Sequence, residues 1–498
     1  MRTRRHSLGI ATMGRAMTIA VVTVLSGGTI YAADYDFVND SVCYKITSTK
    51  DKKAEVAPCE KLGYYIGSVT IPATVVNGTD TLSVTGIGKK TFEGCEALTG
   101  ITLPATIETI GAKAFSGCKS LNAITIPESV TKIEDGAFEE CSALASVAIP
   151  SSVVSLGSEA FKECGALSSA TVPSSIGTIG KGTFEDCKSL SGITIEEGIK
   201  EIKGEAFKGC KSLADIVLPS TLEQIGDEAF EGCSALASIT VPGDVKSIGS
   251  DAFKECTSLS AVGIADGVKK IGNGAFEGCS ALKSISLPAT VTEIGSDAFK
   301  ECSSMATANV PAKVKTIGSS AFEGCASLTS VGIESGVKEI GKSAFEKCSA
   351  LSEISIPASV EKMGESAFKG CTSLASVTIP ATVESVESDA FKNCVSLANV
   401  SITGGVKAIK KTAFESCTAL TTVSIPATVT EIGKEAFKGC VALTTIYSLN
   451  PTPPTIGNDE TFSEVILTTA TVHVPAAALS TYKAAEYWST FKSILGDM

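Results

Sequence analysis

Apolar and polar positions recur along the chain with a spacing of 23 residues. Each unit carries a Phe, in a series from Phe92 to Phe437, and a Cys three residues later, in a series from Cys95 to Cys440. A Leu follows three residues after each Cys, with Met305 as the single substitute. The alternating apolar residues that come next predict a short strand, and Pro and Gly then predict a turn. Such a period is typical of a solenoid. We therefore predict a right-handed stack of about 16 turns over residues 89–446, with a parallel β-sheet on one face.

The repeat places its Phe, Cys and Leu on the inward face of each turn. Free Cys is among the most buried residue types, so buried thiols are the favoured interpretation. Disulfides between stacked Cys are an alternative, but parallel Cβ vectors would hold the Cβ atoms about 5 Å apart, farther than a disulfide prefers. A metal site is a second alternative, and it needs more ligands than one thiol per level. The predicted inward ladder includes Phe276, Cys279, Leu282, Phe299, Cys302, Phe322 and Cys325.

Both ends of the chain depart from the repeat. Residues 1–33 combine four Arg with an apolar stretch at 18–25 and small residues at Ala32 and Ala33, which predicts a cleavable export signal. The run at 3–8 resembles a twin-arginine signal, but Ser7 stands where a large apolar residue is usual, so general secretion is favoured. We predict an N-terminal β cap at 34–88 and a C-terminal cap at 447–498. Cys43 and Cys59 lie in the N-terminal cap, and the sequence leaves open whether they pair.

Charge excludes several classes of partner. The chain has 42 Lys and Arg against 54 Asp and Glu, and its four Arg all lie within residues 1–33. The remaining 38 Lys give the exported chain a net charge of −16. A negative chain without Arg lacks the residue that reads phosphate and guanine, so nucleic acid and anionic membranes are poor candidates as partners. No later apolar run predicts a transmembrane segment.

The residue after each Phe alternates in charge over a long stretch, as in Glu139, Lys162, Glu185 and Lys208. Opposite charges on adjacent turns relieve the repulsion that stacked like charges would cause. We interpret this column as a solvated face and not as a binding stripe.

Catalytic chemistry has little support in the sequence. The exported chain has a single His, His473, on the alternating segment TATVHVP of the C-terminal cap, and no motif places a nucleophile beside it. No phosphate-binding loop, metal triad or cofactor motif is present. We therefore predict a non-enzymatic protein without a cofactor or a metal.

The repeat resembles the BspA-like leucine-rich-repeat proteins, whose unit reads I-P-x-x-V-x-x-I-G-x-x-A-F-x-x-C-x-x-L, as IPATVTEIGKEAFKGCVAL does at 425–443. The resemblance implies an α/β-type solenoid with β-rich end caps, exported to the bacterial cell surface or secreted, and in some members an adhesin. The asparagine ladder of other leucine-rich repeats is replaced by Thr106, Ser129 and Gly198 here. We therefore expect the hydrogen bonding of that ladder to be absent.

Recognition has few candidate residues, because binding hot spots favour Trp, Tyr and Arg and residues 92–446 contain none of them. The candidates in the C-terminal cap are Tyr447, Tyr482, Tyr487 and Trp488, with packing in the cap core as the alternative. We expect an adhesin that binds protein or glycoprotein partners on host or neighbouring cells. A structural spacer without a specific ligand is the alternative, and an enzyme with an unrecognised site is the weakest one.

Overall fold

The structure is a computed structural model that describes residues 34–59 and 65–498. Within these residues the chain forms a parallel β-solenoid of about 18 turns, which confirms the predicted fold class. The count exceeds the predicted 16 because both end regions add turns to the repeat. The predicted export signal at 1–33 lies outside the described residues.

The N-terminal end is a small β cap that continues into the solenoid. Cys43 and Cys59 form a disulfide there. Tyr65 is buried, and its ring packs 4.8 Å from that of Phe92, so it covers the first turn of the core. Numbered along the chain, the strands of this region are β1 (Phe37–Asn39), β2 (Val42–Ser48), β3 (Lys53–Val56), β4 (Gly67–Thr70), β5 (Thr74–Asn77) and β6 (Asp80–Ile87).

Each turn of the repeat then contributes to two sides of the solenoid. The L-x-x-I-x-I segment builds what we call the long-strand side, where buried and exposed residues alternate. Its strands in the repeat are β7 (Leu98–Thr102), β10 (Ser146–Ala148), β12 (Ser169–Val172), β14 (Gly192–Ile195), β17 (Ser238–Val241), β19 (Ala261–Ile264), β21 (Ser284–Ile285), β23 (Thr307–Val310), β25 (Ser330–Ile333), β28 (Ser376–Ile379), β30 (Asn399–Ile402) and β32 (Thr422–Ile425).

The V-x-x-I segment builds the short-strand side. Its strands are β8 (Thr109–Ile110), β9 (Lys132–Ile133), β11 (Ser155–Leu156), β13 (Thr178–Ile179), β15 (Glu201–Ile202), β16 (Gln224–Ile225), β18 (Ser247–Ile248), β20 (Lys270–Ile271), β22 (Glu293–Ile294), β24 (Thr316–Ile317), β26 (Glu339–Ile340), β27 (Lys362–Met363), β29 (Ser385–Val386), β31 (Ala408–Ile409) and β33 (Glu431–Ile432). Turns complete each rung, and the one helical segment within residues 65–463 is the 3₁₀ turn Ser174–Ile176.

The C-terminal end carries the solenoid beyond the predicted boundary at 446/447, because one strand crosses it. The ring of Phe462 stacks 5.4 Å from that of Phe437, so the core also continues into the segment predicted as a cap. The elements are β34 (Thr445–Ser448), β35 (Thr455–Ile456), α1 (Glu464–Thr469), β36 (Thr471–Val474), the 3₁₀ turn Ala476–Ala478, α2 (Leu479–Ala484), the 3₁₀ turn Trp488–Thr490 and β37 (Ser493–Gly496). The last sheet of the long-strand side runs β28–β30–β32–β34–β36–β37.

The inward ladder forms a continuous core. Successive Phe rings from Phe92 to Phe437 stack with centroids 5.1 to 5.6 Å apart. All sixteen Cys of the repeat are buried and free, so the structure contains neither of the alternatives with bonded thiols. Each thiol from the second unit onward donates a hydrogen bond to the Phe carbonyl of the preceding turn, as Cys279 Sγ does to Phe253 O at 3.1 Å. Side chain and backbone therefore link consecutive turns.

Hydroxyl groups replace the asparagine ladder, so the expectation that its hydrogen bonding is absent needs correction. Ser129 Oγ donates to Ile107 O at 2.7 Å, one turn back. Where the position is Gly, the hydroxyl of the following turn accepts from it, as Thr221 Oγ1 does from Gly198 N at 2.8 Å. Ser and Thr thus satisfy the backbone of neighbouring turns with shorter side chains than Asn.

Candidate functional site

The long-strand side presents one outward residue per turn between its two buried residues, and we call this series the central outward column. Most of its members are small or polar. Val217, 82% exposed, is the large apolar exception within the repeat. The column changes character only at its end. From the first turn to the last it reads Thr102, Thr125, Ala148, Thr171, Thr194, Val217, Thr240, Gly263, Ser286, Asn309, Gly332, Ser355, Thr378, Ser401, Ser424, Tyr447, His473 and Leu495.

Strand pairing aligns the last members of the column. β32 pairs with β34 so that Ser424 lies beside Tyr447, and β34 pairs with β36 so that Tyr447 lies beside His473. β36 pairs with β37 so that His473 lies beside Leu495. The parallel ladder therefore carries three large side chains side by side on the exposed face.

We call this surface the terminal patch and define it as Tyr447, Leu449, His473, Leu495 and Asp497. Side chains alternate along a strand, so Leu449 and Asp497 point to the same face as Tyr447 and Leu495. Leu449 is 41% exposed and Leu495 is 44% exposed. The patch is thus partly apolar, in contrast to the hydroxyl-rich column that leads to it.

The His473 ring is held from two sides. It stacks on the Tyr447 ring with centroids 4.9 Å apart and an angle of 28° between planes. Its Nδ1 lies 2.9 and 3.0 Å from the two carboxylate oxygens of Asp497. A carboxylate accepts, so Nδ1 is the donor, and the bond fixes the orientation of the imidazole. The patch is therefore a preorganised aromatic surface with a carboxylate at its margin.

Two of the four aromatic candidates are not on the surface. Tyr482 is fully buried, and its hydroxyl donates to Asn450 O at 2.8 Å and lies 2.7 Å from Ser448 Oγ. Burial raises the pKa of the Tyr482 hydroxyl. Trp488 is also fully buried, and its Nε1 donates to Pro454 O at 2.8 Å. Both side chains pack in the cap core, so neither is available to a partner.

The other two candidates are half-buried in different places. Tyr447 belongs to the terminal patch, whereas Tyr487 lines a small recess with Ile456, Phe462 and Leu467 at the end of the core. The sequence pattern missed Leu449, His473, Leu495 and Asp497 as parts of a binding surface. The reason is spacing: 26 residues separate Tyr447 from His473 and 22 separate His473 from Leu495, so a fixed period of 23 loses the column.

Catalysis finds no support in the geometry. Within the described ranges, the hydrogen bonds of the His473 ring go to Asp497, and no hydroxyl or thiol nucleophile is bonded to it. The thiols of the repeat are poor nucleophiles, because burial raises the pKa of Cys279 to about 12. Residues 34–59 and 65–498 also contain no group of three His, Cys, Asp or Glu side chains that could hold a metal ion.

The charged column after each Phe forms ion pairs between adjacent turns. Lys162 lies 2.9 Å from Glu185, and Lys254 lies 3.0 Å from Glu277. Exposed pairs of this kind contribute about 0–1 kcal/mol each. The column therefore compensates its own charge.

Comparison with known proteins agrees with this architecture. The family model described as BspA type leucine rich repeat region matches residues 85–214, 200–329 and 338–468, with six copies. Proteins of this family are often surface-associated and protein-binding, and they are typically non-enzymatic. A search of curated proteins found no match. In the part of the chain that the structure describes, no helix is long and apolar enough to cross a membrane.

Solved structures of bacterial proteins are similar over most of the chain. A leucine-rich repeat protein from Bacteroides ovatus is 27% identical, and the match covers 93% of this chain and 100% of that one, with a TM-score of 0.51. A leucine rich cell surface protein from Faecalibacterium prausnitzii is 27% identical over 74% of this chain and 94% of its own, with a TM-score of 0.47. Repeat, fold and family match together show that the chain belongs to the BspA-type leucine-rich-repeat family.

Proposed function

We propose that this is an exported, non-enzymatic protein of the cell surface or the medium that binds protein or glycoprotein partners on host or neighbouring cells. The basic and apolar segment at 1–33 supports export, and the family's frequent surface association supports the location. Adhesion is the activity that best fits an extended array with one distinct surface at its end.

The observation that carries the proposal is the change along the central outward column. From Thr102 to Ser424 the column offers hydroxyls, methyl groups and glycine, with Val217 and Asn309 as its larger members. At the terminal patch it offers an aromatic stack, exposed leucines and a carboxylate. Aromatic side chains dominate binding energy at protein interfaces. The array would then act as a spacer that presents the patch.

Binding of residues 34–498 to immobilised matrix glycoproteins and to whole cells tests the proposal. Removing 447–498 is not a clean control, because the cut divides β34 and uncovers the Phe437 ring. His473→Ser is sharper, since it removes the stack on Tyr447 and the partner of Asp497. Val154→Ser, which truncates an exposed side chain on the short-strand side, is the matched control.

The expected result is saturable binding that His473→Ser weakens and Val154→Ser leaves unchanged. Absence of binding to every glycoprotein and cell type would refute adhesion as tested, and absence of the protein from both surface and medium in fractionation would refute export.

A spacer or coat component is the second candidate, and the long run of small outward residues favours it. A surface of Ser, Thr, Ala and Gly provides few anchors for a specific partner. Periodic self-association of the purified protein without binding to cells would support this alternative, whereas saturable binding of one partner by a monomer would count against it.

A further inference from the structure

The last strand of the long-strand side has an outer edge that no described element covers. In the pairing of β36 with β37, Met498 N donates to Val474 O, and Met498 O accepts from Ala476 N at 3.0 Å. Backbone groups alternate along a strand, so Ile494 and Gly496 also face β36. The N–H and C=O groups of Ser493, Leu495 and Asp497 therefore point away from the sheet.

These outward groups have no backbone partner among residues 34–59 and 65–498. The helical segments that connect β36 to β37 pack elsewhere: a Cβ placed on Gly496 would lie 3.0 Å from Leu479 Cβ, on the inner face. The edge also lacks the usual protection, since it contains no Pro and no Lys. It is a row of free donors and acceptors beside the terminal patch.

We propose that a second copy of this chain pairs with this edge, strand β37 against strand β37 in antiparallel orientation, around a two-fold axis at Leu495. The pairing joins two six-stranded sheets into one continuous sheet. About six backbone hydrogen bonds would form between the Ser493, Leu495 and Asp497 groups of the two copies. The inference concerns self-association and stands apart from the binding of other partners.

The side chains favour a second copy as the occupant because the edge is complementary to itself in this register. Leu495 of one copy meets Leu495 of the other, so two exposed apolar side chains cover each other. Ser493 lies opposite Asp497, which sets a hydroxyl donor against a carboxylate acceptor. The two Asp497 carboxylates, each already bonded to His473, remain at opposite ends of the contact.

Dimerisation would bring two terminal patches onto one face of the joined sheet. Each patch contributes Tyr447, His473 and Leu495 in the same orientation, because a two-fold axis normal to the sheet keeps both outward faces together. A contact of this kind is isologous and closes at two copies, so it gives a discrete dimer and not a polymer.

The test is the mass of residues 34–498 in solution, measured by sedimentation equilibrium over a range of concentrations. Leu495→Pro removes an outward N–H that the chain itself does not use, and it should weaken the dimer about tenfold or more. Leu495→Val keeps the donor and the apolar contact and should dimerise like the wild type. Leu495→Lys, which keeps the backbone but sets two positive charges at the axis, should also be monomeric.

Folding of each variant is checked by circular dichroism and by protection of the buried thiols. A wild-type protein that stays monomeric up to about 100 µM, a concentration at which contacts with Kd near 1 µM are saturated, would overturn the proposal. So would a dimer that persists in both Leu495→Pro and Leu495→Lys, or an assembly that grows beyond two copies.

Discussion

The repeat and the last three strands of the long-strand side share one backbone ladder but carry different chemistry. Inside the repeat, the central outward column ends in Ser401 and Ser424, and the inward side chains hardly vary. In β34, β36 and β37 the same column holds Tyr447, His473 and Leu495. The comparison teaches that the ladder fixes where a side chain stands, whereas the break in the period decides what stands there.

The reason is that an internal turn must fit two neighbours and an end turn only one. Phe276 stacks between Phe253 and Phe299 at 5.3 and 5.5 Å, so any change there disturbs three turns. The terminal patch has free space on its outward face. Variation in sequence is therefore tolerated at the end, where it can serve recognition, more readily than in the core.

Alkaline pH should break the comparison most strongly, since it acts on every turn of the repeat at once. Burial raises the pKa of Cys279 and of Cys325 from the ordinary 9.0 to about 12. An unfolded thiol loses its proton as the pH rises past 9, whereas the folded thiol retains it until about 12, so stability that is present below pH 9 is lost between these values. Urea unfolding at pH 8 and pH 11 measures the loss.

A control separates the thiols from lysine, which also loses its charge in this range. The double variant Cys279→Ala and Cys325→Ala should show a smaller loss of stability between pH 8 and pH 11 than the wild type. An identical loss in both proteins would contradict the role of the thiols.

Phe276→Ala should destabilise the repeat by about 3–5 kcal/mol, because it leaves a cavity in a fully buried column. The turns around it should open locally, since a repeat array need not unfold as one unit. Hydrogen exchange of the neighbouring turns measures the effect, and Val217→Ser in the outward column is the control. Thermal melting of Phe276→Ala at the wild-type temperature would show that the inward ladder does not hold the array together.

Removal of the disulfide should weaken the N-terminal end by about 3 kcal/mol, the value expected for a loop near the 16-residue separation of Cys43 and Cys59. The segment next to this loop carries Tyr65, which covers the ring of Phe92. Denaturant unfolding of the variant with both Cys replaced by Ser measures the change. Added reductant should lower the stability of the wild type and leave that of the variant unchanged; no effect on either protein would contradict the prediction.

Ser359→Ala should have a smaller effect, about 1–2 kcal/mol, since Ser359 Oγ donates to Val337 O at 2.8 Å and accepts from Gly336 N at 3.0 Å. Ser355→Ala, on the outward face four residues earlier, should change stability by no more than about 0.5 kcal/mol. Chemical denaturation of the two variants compares them directly. Equal stabilities would show that the hydroxyl ladder contributes nothing.

The sequence predicts the repeat well and its end poorly, for a physical reason. Within the repeat one rule covers Phe276, Cys279 and Leu282, because each turn repeats the same contacts. At the end, Phe462 follows Phe437 by 25 residues, and the strands of the terminal patch follow one another by 26 and 22. Insertions of this size move side chains between columns, and only the strand pairing shows that His473 and Asp497 meet.

The aromatic candidates illustrate the same limit. Composition alone ranks Trp488, Tyr482 and Tyr447 together as residues that favour recognition. Burial separates them: Trp488 and Tyr482 seal the open end of the core, while Tyr447 stays half-exposed on the sheet. The sequence signal for sealing and for binding is the same, since both use large aromatic side chains.

The most direct test of the central claim compares two positions of one column, Tyr447 at its end and Val217 within the repeat. Tyr447→Ser restores the residue that the preceding turns carry, and Val217→Ser does the same far from the patch. Binding of both variants of residues 34–498 to the glycoprotein or cell that the wild type binds gives the answer. We expect Tyr447→Ser to lose about tenfold or more in affinity and Val217→Ser to bind like the wild type. Unchanged binding by Tyr447→Ser, or an equal loss in both variants, would contradict recognition at the terminal patch.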